Sequence, residues 1–182
     1  MKDNRKAQFK LYNTCYSTLL AICLRYERNK EDAEFLLNQG FLKILTKLKT
    51  YSNDRPFEAW IRRIMINTII DNYRKHNKEK SIVQFKDIQS DGSANDWVAF
   101  NVADLQFEAE ELLEMVQSLP PESRKVFNLY TMEGYSHKEI GVKLEISEGT
   151  SKWHLSFARK KLRAMIARSV EQSEQLLYGQ TR

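Results

Sequence analysis

The sequence predicts an all-α protein of two small helical domains joined by an acidic linker, and three observations predict it. Apolar residues recur at three- and four-residue steps through most of the chain. That periodicity fades between Lys80 and Asp104, where Ser, Asp, Gly and Asn alternate with short apolar pairs. The charge changes sign there too. Residues 1–80 carry 17 Lys/Arg against 9 Asp/Glu (+8), residues 81–119 carry 1 against 8 (−7), and residues 120–182 carry 11 against 7 (+4). Two basic folded segments on an acidic tether point to a polyanion as partner, which the tether avoids or competes with. The expected divisions are a first domain at 1–78, a linker at 79–104, a second domain at 105–170 and a tail at 171–182. With 182 residues, 42% of them hydrophobic, the chain has material for two cores.

From Ala7 to Arg28 the residues Phe9, Tyr12, Tyr16, Leu19, Leu20, Cys23 and Leu24 share one helical face, predicting a long amphipathic helix that ends near Arg28–Asn29. Asn29 then caps a second helix, with Glu31 and Asp32 in the first turn where the helix dipole favours anions. This helix is expected to run to about Lys49 and to bury Ala33, Leu37, Gly40, Phe41, Ile44, Leu45 and Leu48. Phe35 and Leu42 are left on the opposite side, beside Asn38 and Gln39. Two outward apolar groups seven residues apart either form a protein-docking face or pack beneath a neighbouring loop or terminus.

Tyr51 to Pro56 is rich in turn formers, and Pro56 pushes Arg55 out of helical geometry. Its Tyr51, Asn53, Asp54 and Arg55 are the side-chain types that hold single-stranded bases by stacking and edge hydrogen bonds. The next stretch, Phe57 to Lys75, is a helix despite its β-branched cluster: Phe57, Trp60, Ile61, Ile64, Met65 and Thr68 form the inward face. Arg63, Asn67, Asp71 and Arg74 fall on a neighbouring stripe. That row either tracks a nucleic-acid backbone or is the solvated flank of a core helix.

In the linker, Ile82, Val83, Phe85, Ile88 and Trp97 are too many large apolar groups for a free tether, so much of it is expected to lie against a partner or a domain. Helical spacing resumes near Asp104 with Leu105, Leu112, Met115, Val116 and Leu119, and Pro120 stops it. Pro121 opens the next helix, expected to reach Glu133 with Val126, Leu129 and Tyr130 inward and Gly134 at its end. Ser136 with Glu139 three residues on is a capping box for a short helix, Glu145–Ile146 is a tight turn, and Ser147 begins a longer helix. Thr150, Trp153, Leu155, Phe157, Ala158 and Leu162 are among its less polar positions. From Gly149 to Val170 it has no acidic residue but carries Lys152, His154, Arg159, Lys160, Lys161, Arg163 and Arg168. Capped helix, short turn and basic helix in that order form a helix-turn-helix pattern. Glu148, Thr150, Ser151, Lys152 and His154 would meet base edges, and the later cations phosphate.

Other classes fit poorly. No apolar run approaches the roughly 18 residues of a membrane span and the N-terminus has no apolar signal core, so a cytoplasmic protein without membrane insertion is expected. Cys15 and Cys23, on one helix, would lie about 12 Å apart along its axis and cannot bridge. His76, His137 and His154 have no ligand-like spacing to them, so no metal or other cofactor is expected. No enzyme activity is expected either: there is no phosphate-binding Gly loop and no nucleophile elbow, and the one local acid/base pairing, His137 with Glu139, sits in the helix-turn-helix.

In combination the two halves resemble the sigma factors of bacterial RNA polymerase, in particular the small two-domain extracytoplasmic-function type of the sigma-70 family. The first half carries Glu31-Asp-Ala-Glu34, Phe41-Leu42, Phe57, Trp60, Arg63-Ile64, Asn67, Asp71 and Arg74 in the order and spacing of that family's region two. The second carries Leu119-Pro120, Gly134-Tyr-Ser136, Glu139-Ile140, Ile146-Ser147, Gly149-Thr150, Ala158-Arg159-Lys160 and Leu162 in the spacing of region four. The resemblance covers residues 7–76 and 105–168. It implies a promoter-specificity subunit whose region two docks on the β′ clamp helices of core polymerase through Asp32, Glu34, Phe35, Asn38, Gln39 and Leu42. Region two would then open the −10 element with Tyr51, Asn53, Asp54, Arg55, Trp60, Arg63, Asn67, Asp71 and Arg74. Region four would read the −35 element with Ser136, Gly149, Thr150, Ser151, Lys152, His154, Arg159, Lys160 and Arg163 and touch the β flap. The acidic linker would thread the polymerase cleft, and an anti-sigma partner is implied as well.

This chain departs from the pattern at Phe35, where the family usually has an acidic residue, and at Asn38-Gln39, where it usually has Gln-Glu; the docking contact is therefore expected to be drier. Glu145 stands for a usual Gly and Ser151 for a common apolar residue. The alternative reading is a helix-turn-helix transcription regulator that acts without core polymerase.

Overall fold

The computed structural model describes residues 4–52, 54–80 and 109–179, the side chains of 77–80 and 173–179 excepted. Every regular element among them is helical. The chain divides into two compact units, residues 1–86 and 87–182. Asn53, the apolar groups of the linker and the expected helix start near Asp104 lie outside the described residues.

The first unit packs α1 (Arg5–Leu24), α2 (Lys30–Lys47) and α3 (Phe57–Lys80) against one another. Asn29 caps α2 as its sequence indicates: its Oδ1 accepts the backbone N–H of Asp32 at 2.7 Å. α1 stops at Leu24, short of Arg28. The N–H groups of Tyr26 and Glu27 both turn back to the carbonyl of Cys23, and Tyr26, 1% exposed, folds its ring into the core. Burial of that ring favours the turn over another helical turn.

α2 becomes a tight 3-10 turn at Leu48–Thr50, which leaves Leu48 exposed rather than buried and Leu45 half-buried. It buries Leu36 as well as the expected Ala33, Leu37, Gly40, Phe41 and Ile44. α3 touches both α1 and α2, so its buried surface is wider than one stripe. Ile66, Ile69 and Ile70 join Ile61, Ile64, Met65 and Thr68 inside, while Phe57 and Trp60 stay half-buried. Phe9, expected inward, is 67% exposed.

The second unit holds α4 (Ala109–Gln117), α5 (Pro121–Phe127), α6 (His137–Leu144) and α7 (Glu148–Gly179). Its core is Leu119, Val126, Leu129, Ile140, Leu144, Leu155 and Ala158, with α7 touching each of the other three helices. Arg124 is buried and donates from Nη1 to the carbonyl of Gln117 at 2.8 Å, satisfying one of the open carbonyls at the end of α4. α5 is shorter than the sequence suggests because the chain widens into a π turn at Asn128–Met132, with the N–H of Glu133 reaching the carbonyl of Asn128. Tyr130 is thereby half-buried rather than in the core. Gly134, at φ 73°, ends the turn.

The capping box is complete: Ser136 Oγ accepts from the Glu139 N–H, and Glu139 Oε2 accepts from the Ser136 N–H at 2.9 Å. Glu145 is left-handed at φ 59°, which costs about 1 kcal/mol for a residue with a Cβ. The turn holds because α6 and α7 cross closely there. The N–H of Ile146 bonds the carbonyl of Gly141, and a Cβ on Gly141 would stand 2.9 Å from the Ile146 carbonyl oxygen.

Candidate nucleic-acid and docking surfaces

On the first unit, α2 turns Phe35 (56% exposed) and Leu42 (63%) outward. The Tyr12 hydroxyl donates to Asn38 Oδ1 at 3.0 Å, and the Tyr16 hydroxyl to Glu34 Oε1 at 2.7 Å. These two contacts set α1 antiparallel to α2 and bring Phe9 to the level of Leu42. Phe9 is itself 67% exposed, an apolar group at the end of α1 nearest that level. Its spacing to Tyr12 and Tyr16 had pointed inward; both tyrosines are in fact half-buried, tilted on each other at 5.6 Å, with Tyr12 edge-on to Phe41 at 4.9 Å. Asp32 is exposed but receives Asn29 Nδ2 at 2.7 Å, and Gln39 is half-buried.

The loop before α3 is organised by three aromatic rings. Tyr51 lies 5.4 Å from Phe57 and 5.1 Å from Trp60, and Phe57 lies 5.7 Å from Trp60. The Tyr51 hydroxyl donates to the Arg55 carbonyl at 2.8 Å and closes the loop on itself, and Ser52 donates to Asp54 Oδ2. Phe57 thereby supports Tyr51, a role that its helix position alone does not announce. Along α3, Arg63 and Asn67 are exposed and Arg74 is half-buried. Asp71, in the same row, is held by Lys43 of α2 at 2.9 Å. Both side chains are substantially exposed, so this pair contributes at most about 1 kcal/mol. On the surface, the pairing with Lys43 offsets the negative charge of Asp71 within the row.

On the second unit, Ser151, Leu155 and Ala158 point α7 into the core. Of the residues expected at base edges, Ser151 is therefore interior and His154 half-buried. Ser151 is 0% exposed and hydrogen-bonds His137 Nδ1 at 2.9 Å; His154 is half-buried and bonds Ser123 at 3.0 Å. Both lie on or beside the stripe that packs on α5 and α6, and their polar groups are satisfied there. Ser136 is exposed, yet its hydroxyl serves the capping box. Thr150 is exposed and tied to the helix-capping Ser147, whose Oγ accepts the Thr150 N–H at 2.9 Å.

Gly149, Lys152, Lys160 and Arg163 are exposed, with Lys152 bridged to Glu148 at 2.8 Å. Arg159 is half-buried over the Tyr130 ring, which in turn stacks on His137 at 4.6 Å. The chain Arg159, Tyr130, His137, Ser151 ties α7 to α6 and to the π turn.

Both histidines, half-buried, are held below the ordinary value of 6.5: His137 by burial, then by Lys152 and Arg159 against Glu148, and His154 by burial against Glu122. A base whose folded pKa lies below its unfolded one folds preferentially neutral. Its stabilising contribution is full above the ordinary value and is lost as pH falls through the folded value. The second unit is therefore expected to lose hydrogen-exchange protection as pH falls below the ordinary value of 6.5. The loss should be smaller in a His137→Gln, His154→Gln double variant; equal losses would place the acid sensitivity elsewhere.

Among the described residues no group of three His, Cys, Asp or Glu side chains is placed to hold a metal ion, and no helix is long and apolar enough to cross a membrane.

Residues 11–79 match the family model for sigma-70 region 2, and residues 109–162 match that for sigma-70, region 4. The chain is 26% identical over 156 residues to the ECF RNA polymerase sigma factor SigE of Mycolicibacterium smegmatis, covering 85% of this chain and 59% of that protein. It is 26% identical over 160 residues to the "Probable RNA polymerase sigma factor RfaY" of Xanthomonas campestris pv. campestris, covering 87% and 40%. With the ECF RNA polymerase sigma factor SigM of Bacillus subtilis it shares 28% identity over 162 residues, covering 88% and 96%. It thus spans about half the length of the first two and nearly all of the third.

Proposed function

The chain belongs to the sigma-70 family, as an extracytoplasmic-function type sigma factor, and from that premise we propose that it is a promoter-specificity subunit of RNA polymerase. In this reading it acts in the cytoplasm, has no catalytic activity of its own, and directs initiation by joining core enzyme to promoter DNA. The observation that carries the proposal is that the two family matches fall one on each compact unit, region two before region four.

The outward face of α2, with Phe35 and Leu42 at its centre and Asp32, Glu34, Asn38 and Gln39 around them, docks on the β′ clamp helices. The aromatic loop, Tyr51 with Asp54, Arg55 and Trp60, receives one base pulled out of the −10 duplex. Unstacking that base costs a few kcal/mol, which stacking and edge hydrogen bonds offset. Arg63, Asn67 and Arg74 follow the backbone of the separated strand, and Asp71 orients Lys43 rather than meeting phosphate. α7 enters the −35 major groove with Gly149, Thr150, Lys152 and Lys160, while Arg159 and Arg163 flank it towards phosphate. Sequestration by an anti-sigma partner covering the same apolar face of α2 belongs to the same proposal. A regulator acting without polymerase is not favoured, since it leaves the region two match and the α2 face without a role.

The test is transcription by core polymerase supplemented with this protein on a library of genomic fragments. Defined start sites are expected; if no promoter is opened, the proposal fails. Within it, Asn67→Ala is expected to lower promoter opening about tenfold, the equivalent of about 1.4 kcal/mol of lost hydrogen bonding, and to leave core binding unchanged. Parallel loss of both would make Asn67 a structural residue.

A further inference from the structure

α7 carries an aromatic pair on the face where its cations stand. Trp153 and Phe157 are stacked at 5.4 Å with their planes 20° apart, and Trp153 meets the His154 ring edge-on at 4.9 Å. At about 100° per residue, Trp153 lies about 160° round the helix from Ser151 and from Leu155. Phe157 lies about 160° from Leu155 and about 100° from Ala158. Since Ser151, Leu155 and Ala158 are the buried positions, both rings point away from the core. The exposed Gly149, Lys152, Ser156 and Lys160 surround Trp153 on that face. Both rings are half-buried, Trp153 against Phe157 and His154.

We propose that Trp153 and Phe157 form an apolar reading surface for the C5-methyl groups of thymine in the −35 major groove. This rests on the reading of α7 as the helix that enters that groove. The part of each ring left open on the outward side of the helix is apolar, and the charges beside the pair say which partner it meets. With no acidic residue from Gly149 to Val170, the surface complements a polyanion. Lys152 and Lys160 lie on either side of Trp153 along the helix, so phosphates on both banks of a groove bring the rings to its floor. There the thymine methyl is the apolar group on offer, whereas G, C and A present donors and acceptors. A Phe ring satisfies none of these, so it favours T·A positions and disfavours G·C ones.

Deoxyuridine in place of thymine removes the methyl and nothing else. Duplexes retained by the complex of this protein with core polymerase are selected from a random pool, and each thymine of the −35 segment is then replaced in turn. At one or two positions affinity is expected to fall about fourfold, the worth of one buried methyl group. Trp153→Ala or Phe157→Ala complexes should bind more weakly and no longer distinguish thymine from deoxyuridine at those positions. Phe157→Leu, which keeps an apolar contact, should retain part of the discrimination and guards against a folding defect.

Tight duplex binding with no deoxyuridine effect at any position overturns the proposal and leaves the DNA reading of α7 intact. So does undiminished discrimination in both alanine variants. If the alanine variants keep discrimination but lose affinity for core polymerase, the pair docks on protein and the proposal is wrong. Failure of every duplex to be retained, thymine-containing or not, overturns the DNA reading itself and this proposal with it.

Discussion

Gly141→Val is expected to disable the second unit while sparing the first. The Cβ position at residue 141 faces the backbone oxygen of Ile146 at 2.9 Å, and a main-chain atom cannot swing aside as a side-chain end does. Two further methyl groups would meet the chain at Ser147 and Glu148, which lies within 4 Å. Forcing them in costs about 1–3 kcal/mol, and the angle between α6 and α7 changes as the turn opens. Gly141→Ala is the milder case, because its gain of about 1 kcal/mol in helix propensity opposes the clash. Hydrogen exchange along the full chain should show lost protection over residues 121–170 in the valine variant and native protection over residues 5–76. Duplex binding should fall at least tenfold, while core polymerase, on the proposed docking through α2, should still be bound. Native protection in the second unit would mean that the turn relaxes at little cost.

The second large effect is expected from Phe35→Asp combined with Leu42→Asp. Both side chains are more than half exposed, so neither change removes a core contact, and the melting temperature should barely move. If these two groups are buried against polymerase, each contributes about 1.5–3 kcal/mol, and the pair together about 10²- to 10⁴-fold in affinity. Titration of labelled protein with core enzyme measures this. Wild-type affinity in the double variant would exclude this face as the docking site. Phe9→Asp is an informative companion, since the antiparallel packing of α1 puts Phe9 level with Leu42: a partial loss would show that the contact extends from α2 onto α1.

What the sequence disclosed and what it hid divide along physical lines. Asn29 as a cap, the Ser136–Glu139 box and the helical phase of α3 depend on residues a few positions apart, and such signals are written locally. The tight turn at Glu145–Ile146 was legible too, while the left-handed backbone of Glu145 was signalled only by the Gly that the resembling family usually has there. The end of α1 was not, because it depends on Tyr26 finding the core. Phe9 was misjudged because an apolar stripe of helical period looks the same whether it faces a core or an unoccupied surface.

On α7 the phase of Ser151 was available all along, four residues before Leu155 and seven before Ala158. Its polarity disguised it. What makes its burial tolerable is His137, 14 residues away in sequence, just as Ser123, 31 residues away, makes the position of His154 tolerable. Partners at that distance are set by the fold. The same phase turns Trp153 and Phe157 away from the core stripe, which their place among the less polar positions of the helix left open.

Cys15 and Cys23 sit on the inner side of α1, 3% and 0% exposed. Burial pushes both thiols up, that of Cys23 to about 12, so at neutral pH only about one molecule in 10⁵ carries a Cys23 thiolate. A disulfide reagent reaches Cys23 only when the three-helix unit opens, and the labelling rate then counts those openings. Since the described residues contain no other thiol, the chain carries its own clock for the breathing of one unit. Run in the presence and absence of core polymerase, that clock reads how far binding quiets the three helices of this unit, without a single substitution.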